Sequence, residues 1–412
     1  MKSVSSRSLL AAALLASATP AAATNGMRMI GFGPVQDSMG GASVAAPLDS
    51  ATIVTNPSGI SALGTRVDLA GTWFAPTVKY TATGGASGKE QESDRAASII
   101  PTLGFVYAVN DRLAVGVGAF GVSGMGVDYP ADLYGSTTMT SYMNLRIAPA
   151  ASYRLTDTLS IGVAANLMYA TMEYAVAGAA TSMNMEPRDA QSALGFGGTV
   201  GVTFQPVKQV AIGLAYETKS YFGDFEWKIP AHTLNTPGGP APIPGGTEKL
   251  DFDQPQVITA GVSYSPVEPL LLAADVEWIN WSSTNGKDQP EFTTDTNLTG
   301  AMKWNMNWSD QVVVKVGAQY AATKELKIRA GYNYGKMPLD ADRGFENIAF
   351  PAVAEHHVTL GAGYDIGGLT VNVAGVWSPE ATLEGSSPLQ NLPTYETKMS
   401  QLAVDLGLAY RF

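Results

Sequence analysis

This chain of 412 residues contains no cysteine, which excludes a disulfide framework, thiolate chemistry and a zinc–thiolate site. Histidine is nearly absent, with only His232, His356 and His357. His356 and His357 are adjacent and would face opposite ways on a strand, His232 lies in a Pro-rich loop, and no Gly-x-Ser-x-Gly elbow accompanies them. The expectation is a protein that is not an enzyme and carries neither cofactor nor metal. Charged residues make up only 15%, with a net charge of −11, which argues against a nucleic-acid partner. Beyond the N-terminus no stretch approaches the roughly eighteen uncharged apolar residues of a transmembrane helix. No tandem repeat points to a propeller or β-helix.

What is present starts with Lys2 and Arg7, an apolar run from Leu9 to Ala18, and the small residues Ala21-Ala22-Ala23. This reads as a secretory signal peptide, residues 1–23, cut before Thr24. From Arg66 onward apolar residues alternate with small or polar ones. Ile161, Val163, Ala165, Leu167 and Tyr169 oppose Gly162, Ala164, Asn166 and Met168. At the end, Leu402, Val404, Leu406, Leu408, Tyr410 and Phe412 oppose Ala403, Asp405, Gly407, Ala409 and Arg411. A period of two puts each set on its own face of a strand. Such segments number about fourteen, each near the ten residues that a tilted membrane strand requires. Tight turns such as Asn110-Asp111 and Thr156-Asp157 take turns with long connections such as 122–140, 177–193, 221–247, 283–309 and 338–354. The expected fold is all-β, a transmembrane antiparallel β-barrel of about 14 strands over residues 65–412, in a bacterial outer membrane among its lipid and lipopolysaccharide.

A barrel this wide is not filled by its own side chains, so something must occupy its lumen. Residues 24–64, rich in Gly, Ala, Ser and Met with no sustained alternation, are the candidate. Irregular backbone is tolerated at membrane depth only inside protein or water. Aromatics near strand ends, including Trp73, Tyr216, Trp278, Trp281, Trp308 and Trp377, read equally as interfacial girdles or as loop packing.

Several motifs carry a resemblance. Asn25-Gly26, Gly40-Gly41-Ala42, Asp49 and Asn56-Pro57-Ser58-Gly59-Ile60 come first. Asp275-Val276-Glu277-Trp278 with Trp281-Ser282 follows, then Arg329-Ala330-Gly331-Tyr332-Asn333-Tyr334 with Pro338, then Phe350-Pro351 with His357 to Tyr364. In this order they resemble the long-chain fatty-acid transporter family of outer-membrane proteins (the FadL/TodX type of hydrophobic-compound channel). The resemblance implies an N-terminal hatch inside the barrel, with Asn56, Pro57, Ser58 and Gly59 as its motif. Ser58 departs from the family's usual alanine by one hydroxyl. It also implies a kinked third strand that opens a lateral gap. Gly116 to Gly121 matches G-x-G-x-x-G, but glycines alternating within a strand lack the strand–turn–helix context of a dinucleotide fingerprint. Gly121 and Gly124 are read as the strand-three bend, with simple clearance around the hatch as the other reading.

The functional expectation is a monomeric channel for passive uptake of a hydrophobic small-molecule ligand, a long-chain fatty acid or related hydrocarbon. Phe222, Phe225, Trp227 and Ile229 would catch it on an apolar surface between the long loops. Met27, Met29, Ile30 and Phe32 would wall a cavity against the hatch. Arg146, Arg154 or Lys315 would pair with a ligand carboxylate, or else with acidic neighbours and hatch backbone. Arg329 is read as a structural anchor for the hatch. The alternative is a water-filled general porin for small hydrophilic solutes; an outer-membrane hydrolase or adhesion barrel has less to support it.

Overall fold

The computed structural model describes residues 24–83, 88–95, 97–130, 138–175, 188–236, 239–294, 302–303, 305–387 and 392–412. The expected leader and much of the 177–193 loop therefore lie outside the described residues. Fourteen antiparallel strands close into one barrel. They are β1 (Arg66–Ala82), β2 (Ser98–Ala108), β3 (Leu113–Tyr129), β4 (Thr138–Arg154), β5 (Leu159–Ala175), β6 (Arg188–Val207) and β7 (Val210–Glu217). After them come β8 (Val257–Val267), β9 (Leu270–Ile279), β10 (Gln311–Ala321), β11 (Leu326–Gly335), β12 (His356–Ile366), β13 (Leu369–Ser387) and β14 (Leu392–Arg411). Each pairs with the next, and β14 closes on β1 from Arg411↔Arg66 to Tyr395↔Ala82. Closure pairs the last strand with the first, so the sheet does not end in two open edges.

The alternation sorts as the period of two requires. Leu402, Val404, Leu406 and Leu408 are exposed on the outer wall while Ala403 and Asp405 are buried inside. Valine, leucine and aromatic side chains dominate the exposed outer face of every barrel strand, an apolar belt suited to lipid. No helix among the described residues is long and apolar enough to cross a membrane. At the tight-turn end, side chains cap the hairpins. Asn110 Oδ1 accepts the Arg112 and Leu113 amides at 2.9 Å each, and Thr323 Oγ1 accepts the Leu326 amide at 3.0 Å. Such Asx- and ST-turns set the register of the strands they join. The β12–β13 turn uses Gly367 and Gly368, both at positive φ, where a Cβ would be strained.

At the other end the long connections fold inward. Tyr80, Tyr129, Tyr142, Tyr174, Phe252 and Phe350 form the largest apolar cluster with Trp281 and Trp308. Trp281 and Trp308 pack edge to face, 5.2 Å between ring centres, so they serve packing and not a girdle. Trp73 and Trp377 point outward.

Residues Thr24–Leu63 are buried almost throughout. They form a two-stranded hairpin (Thr24–Asn25 with Arg28–Met29), two four-residue helices (Pro34–Asp37 and Thr52–Thr55) and a 3-10 turn (Pro57–Ala62). Isolated helices this short are unstable in water, so contacts with the surrounding strands must hold the segment together.

Candidate functional site in the barrel lumen

Those contacts run around the wall. The Asp275 carboxylate on β9 accepts the backbone amides of Ser43 and Val44 at 2.7 and 3.0 Å. Thr359 on β12 accepts the Gly40 amide at 3.1 Å, and Asn333 on β11 donates to the Gly40 carbonyl at 3.3 Å. Ser263 on β8 donates to the Ala45 carbonyl at 2.7 Å. On β1, Arg66 donates to the Leu48 carbonyl and Asp68 accepts the Ser50 amide. Buried backbone groups without partners cost about 1–3 kcal/mol each, and these side chains supply the partners that helix or sheet would otherwise provide.

Inward glycines make the close approach possible. A Cβ on Gly331 would overlap the Gly40 nitrogen, and one on Gly162 would overlap Pro57 and the Ser58 nitrogen. Sequence reasoning took such glycines as the small half of an alternating strand. In part they are the imprint of the segment they face, and composition carries no sign of which ones.

Asn56 ties the motif together. Its Nδ2 donates to the Val44 carbonyl at 2.7 Å and to Thr203 Oγ1 at 3.2 Å, and its Oδ1 accepts the Ser58 amide and hydroxyl. The Ser58 hydroxyl also meets Thr203 Oγ1 at 2.7 Å. The hydroxyl that sets Ser58 apart from alanine thus bonds the segment to β6.

The charged residues meet in a network. Arg28 donates to Glu217 on β7 at 2.9 Å, and Arg146 on β4 bonds the other oxygen of the same carboxylate. Lys315 on β10 pairs with Glu277 on β9 at 3.1 Å and reaches the Ile30 carbonyl at 3.4 Å. Arg146 and Lys315 are therefore both held by acidic partners. Arg154 donates to the Ser61 carbonyl at 3.2 Å. Arg329 is held by the amide oxygens of Gln319 and Asn372 at 2.8 and 3.2 Å, and no hydrogen bond to residues 24–64 is described for it. Within the segment, burial raises the Asp37 carboxyl well above its ordinary range, with Asp405 adding repulsion. Burial, with Asp68 beside it, pushes Asp49 up to about 7.

The apolar candidates divide. Met27 joins the large aromatic cluster, Met29 and Phe32 pack with Ile53, Ile60 and Phe120, and Ile30 packs with Phe74 and Val376. Their apolar packing falls in three clusters, yet Met29, Ile30 and Phe32 together line one small cavity with Arg28, Glu217 and Lys315, and Met27 stands apart from it. Phe225 and Trp227, expected on an exposed catching surface, are instead fully buried. Trp227 packs edge to face on Tyr174 at 5.1 Å and donates to the Asp189 carbonyl, because paired rings gain more from burial than from exposure. Phe222 is partly buried against the same cluster. The side chain of Ile229 lies outside the described residues.

The pairing of β3 with β2 stops just before Gly121. β2 and β3 pair from Ala108↔Ala114 to Thr102↔Phe120, and among the described residues no pairing continues past that point. The β3–β4 register shifts between Gly121 and Ser123, so the irregularity falls just before Gly124. The next residue on β2 is Pro101, which brings no N–H donor to the sheet. The N-terminal hairpin takes over the vacated edge. Arg28 pairs with Ser123, and the Gly124 amide donates to the Met27 carbonyl at 3.1 Å. Pro101 is the signal that sequence reasoning missed.

The family described as outer membrane protein transport protein (OMPP1/FadL/TodX) matches residues 12–412. Outer membrane protein P1 of Haemophilus influenzae is 26% identical over 304 residues, 65% of this chain and 62% of that protein. P1 of strain Rd is 24% identical over 378 residues, 78% of this chain and 79% of that protein. The chain thus spans less than two thirds of the first of these relatives. The crystal structure of the toluene transporter TodX of P. putida superposes with a TM-score of 0.77 at 21% identity, covering 93% of this chain and 99% of TodX.

Proposed function

This chain belongs to the OMPP1/FadL/TodX family of outer membrane transport proteins, and from that premise we propose that it is a plugged channel for passive uptake of hydrophobic small molecules. Residues 24–64 are its hatch. The observation that carries this reading is the occupied lumen: a buried segment bonded to β1, β4, β6, β8, β9, β11 and β12 leaves no open aqueous bore along those contacts. A water-filled porin would need that space.

Ligand enters by the aromatic cluster at the loop end, where apolar burial at about 25 cal/mol per Å² favours a hydrocarbon without specific contacts. Exit runs past the point where β3 leaves β2. The hairpin that pairs with Ser123 there is the first part of the hatch, so moving it would unblock the gap. The cargo is a long-chain fatty acid or a related hydrocarbon; a toluene transporter and a FadL homologue stand among the similar structures. The protein works as a monomer in contact with lipopolysaccharide and has no enzymatic step.

The test compares the wild type with a deletion of residues 25–60 in planar bilayers, together with extraction of ligand that co-purifies. A nearly closed wild type, a conducting deletion and a bound lipid or hydrocarbon are expected. A freely conducting wild type that the deletion leaves unchanged would return the protein to the porin class.

A further inference from the structure

The hairpin that covers the β2–β3 gap is thinly held by its backbone. It meets β3 where Arg28 pairs with Ser123 and where Met27 accepts the Gly124 amide. The Thr24 amide adds one bond, to Gln401 Oε1 on β14 at 3.2 Å. Asn25 is wholly buried, yet neither of its side-chain polar atoms has a hydrogen-bond partner. Unsatisfied buried groups weaken the docked state.

Arg28 supplies what the backbone does not. It is the only cation in residues 24–64. Its backbone lies against β3, and its side chain reaches carboxylates on two other strands. Nη2 stands 2.9 Å from Glu217 Oε2 on β7, and Nε stands 3.9 Å from Glu277 Oε1 on β9. The guanidinium also lies over the Phe32 ring, 5.8 Å from its centre. With the Arg28 side chain only 11% exposed, these contacts escape most of the solvent screening that weakens surface pairs.

Two small cavities, of about 20 and 10 Å³, are both lined by Arg28 and Glu217. One lies against Met29, Ile30 and Phe32, and the other against Val122, Ser123 and Trp281. Each has room for about one water, so the Arg28 side chain is a partition between them. The two carboxylates do not depend on it. Glu217 also bonds Arg146 on β4, and Glu277 pairs with Lys315 at 3.1 Å and accepts the Thr259 hydroxyl at 3.2 Å. Breaking a buried ion pair is costly chiefly because it strands the partner. Here each carboxylate keeps a cation on the wall, and only Arg28 is released, on the element that moves.

We propose that Arg28 is the positioning residue that gates the exit: its contacts with Glu217 and Glu277 pin the hairpin over the β2–β3 gap, and their release is the step that opens it. The inference rests on the exit route proposed above and names the residue that controls it. The rest of the hatch is anchored separately, at Asp275, Thr359, Ser263 and Thr203. The hairpin therefore opens toward lipid while residues 30–63 still fill the lumen.

The test uses two variants. Arg28→Met keeps an apolar stem and removes the charge. Arg28→Lys keeps a charge but, as a point donor, does not span both carboxylates. Hydrogen exchange followed by mass spectrometry should be faster at residues 24–30 by about tenfold or more in Arg28→Met, the worth of one charge-assisted bond, and by less in Arg28→Lys. Exchange at residues 40–46 and planar-bilayer conductance should match the wild type. Initial uptake of radiolabelled toluene by intact cells with equal amounts of barrel should rise in the order wild type, Lys, Met. Raised conductance with faster exchange at 40–46 would mean a general loosening of the hatch and would overturn the proposal. Unchanged exchange at 24–30 would overturn it too, and would leave the exit route standing. Faster exchange there with unchanged uptake would overturn both, since the hairpin would then move without opening a route. If Arg28→Met does not assemble, Arg28→Lys carries the same comparison with the wild type.

Discussion

Asp275 gives the sharpest test of how the lumen segment is held. Its carboxylate reaches from β9 to two consecutive amides, Ser43 and Val44. Gly261, its register partner on β8, leaves the space it occupies, because a Cβ there would overlap the carboxylate. Asp275→Ala strands two buried donors at about 1–3 kcal/mol each, so docking of this stretch should weaken by roughly 2–6 kcal/mol. Asp275→Asn keeps an oxygen in place and loses only the charge, at a cost of about 1–2 kcal/mol. The barrel itself should survive both changes, since β8, β9 and β10 are joined by backbone ladders that neither touches. Hydrogen exchange followed by mass spectrometry should show faster exchange across residues 40–46, by about tenfold for each 1.4 kcal/mol. Strand amides of β9 should be unaffected, and bilayer conductance should rise in the order wild type, Asn, Ala. Unchanged exchange at 40–46 in Asp275→Ala would refute the idea that this carboxylate anchors the segment.

Three further outcomes follow from the same contacts. Gly331→Ala places a methyl group against the Gly40 backbone, so it should loosen the segment while heat-modifiable gel mobility reports an intact barrel. Asn56→Ala removes the acceptor of the Ser58 amide and the donor to Val44, at a cost of about 1–3 kcal/mol, read as increased exchange over residues 52–60. Asp49, pushed up to about 7 from an ordinary 3.8, binds its proton more tightly folded than unfolded. Docking should therefore weaken as pH rises from about 4 to about 7 and level off above that range, and Asp49→Asn should flatten the profile of exchange in residues 46–52.

The barrel was legible because its physics is periodic. Lipid outside and a crowded lumen inside impose a two-residue alternation on nearly every strand, and tight turns at one end carry Asn, Thr and Gly for reasons local to the turn. The mutual position of partners was not legible. Arg146 reads as an inward cation for either a ligand or an acidic neighbour, and only the tertiary structure brings Glu217, on a strand remote in sequence, to it. Phe225 and Trp227 read as exposed because their loop is Pro-rich and polar, yet Tyr174 and its neighbours bury them. The bend in β3 is legible from its glycines and the family resemblance, whereas Pro101 on the neighbouring strand stands at the point where pairing stops.

By itself the sequence determined the class of fold, the approximate strand count and the irregular character of residues 24–64, since each depends on composition or on spacing along one segment. Only the tertiary structure decided which glycines make room for that segment, which carboxylates hold it and which cations are already paired. Those facts depend on side chains brought within about 3 Å of each other from opposite walls of a closed barrel, a distance that one strand's own pattern does not encode.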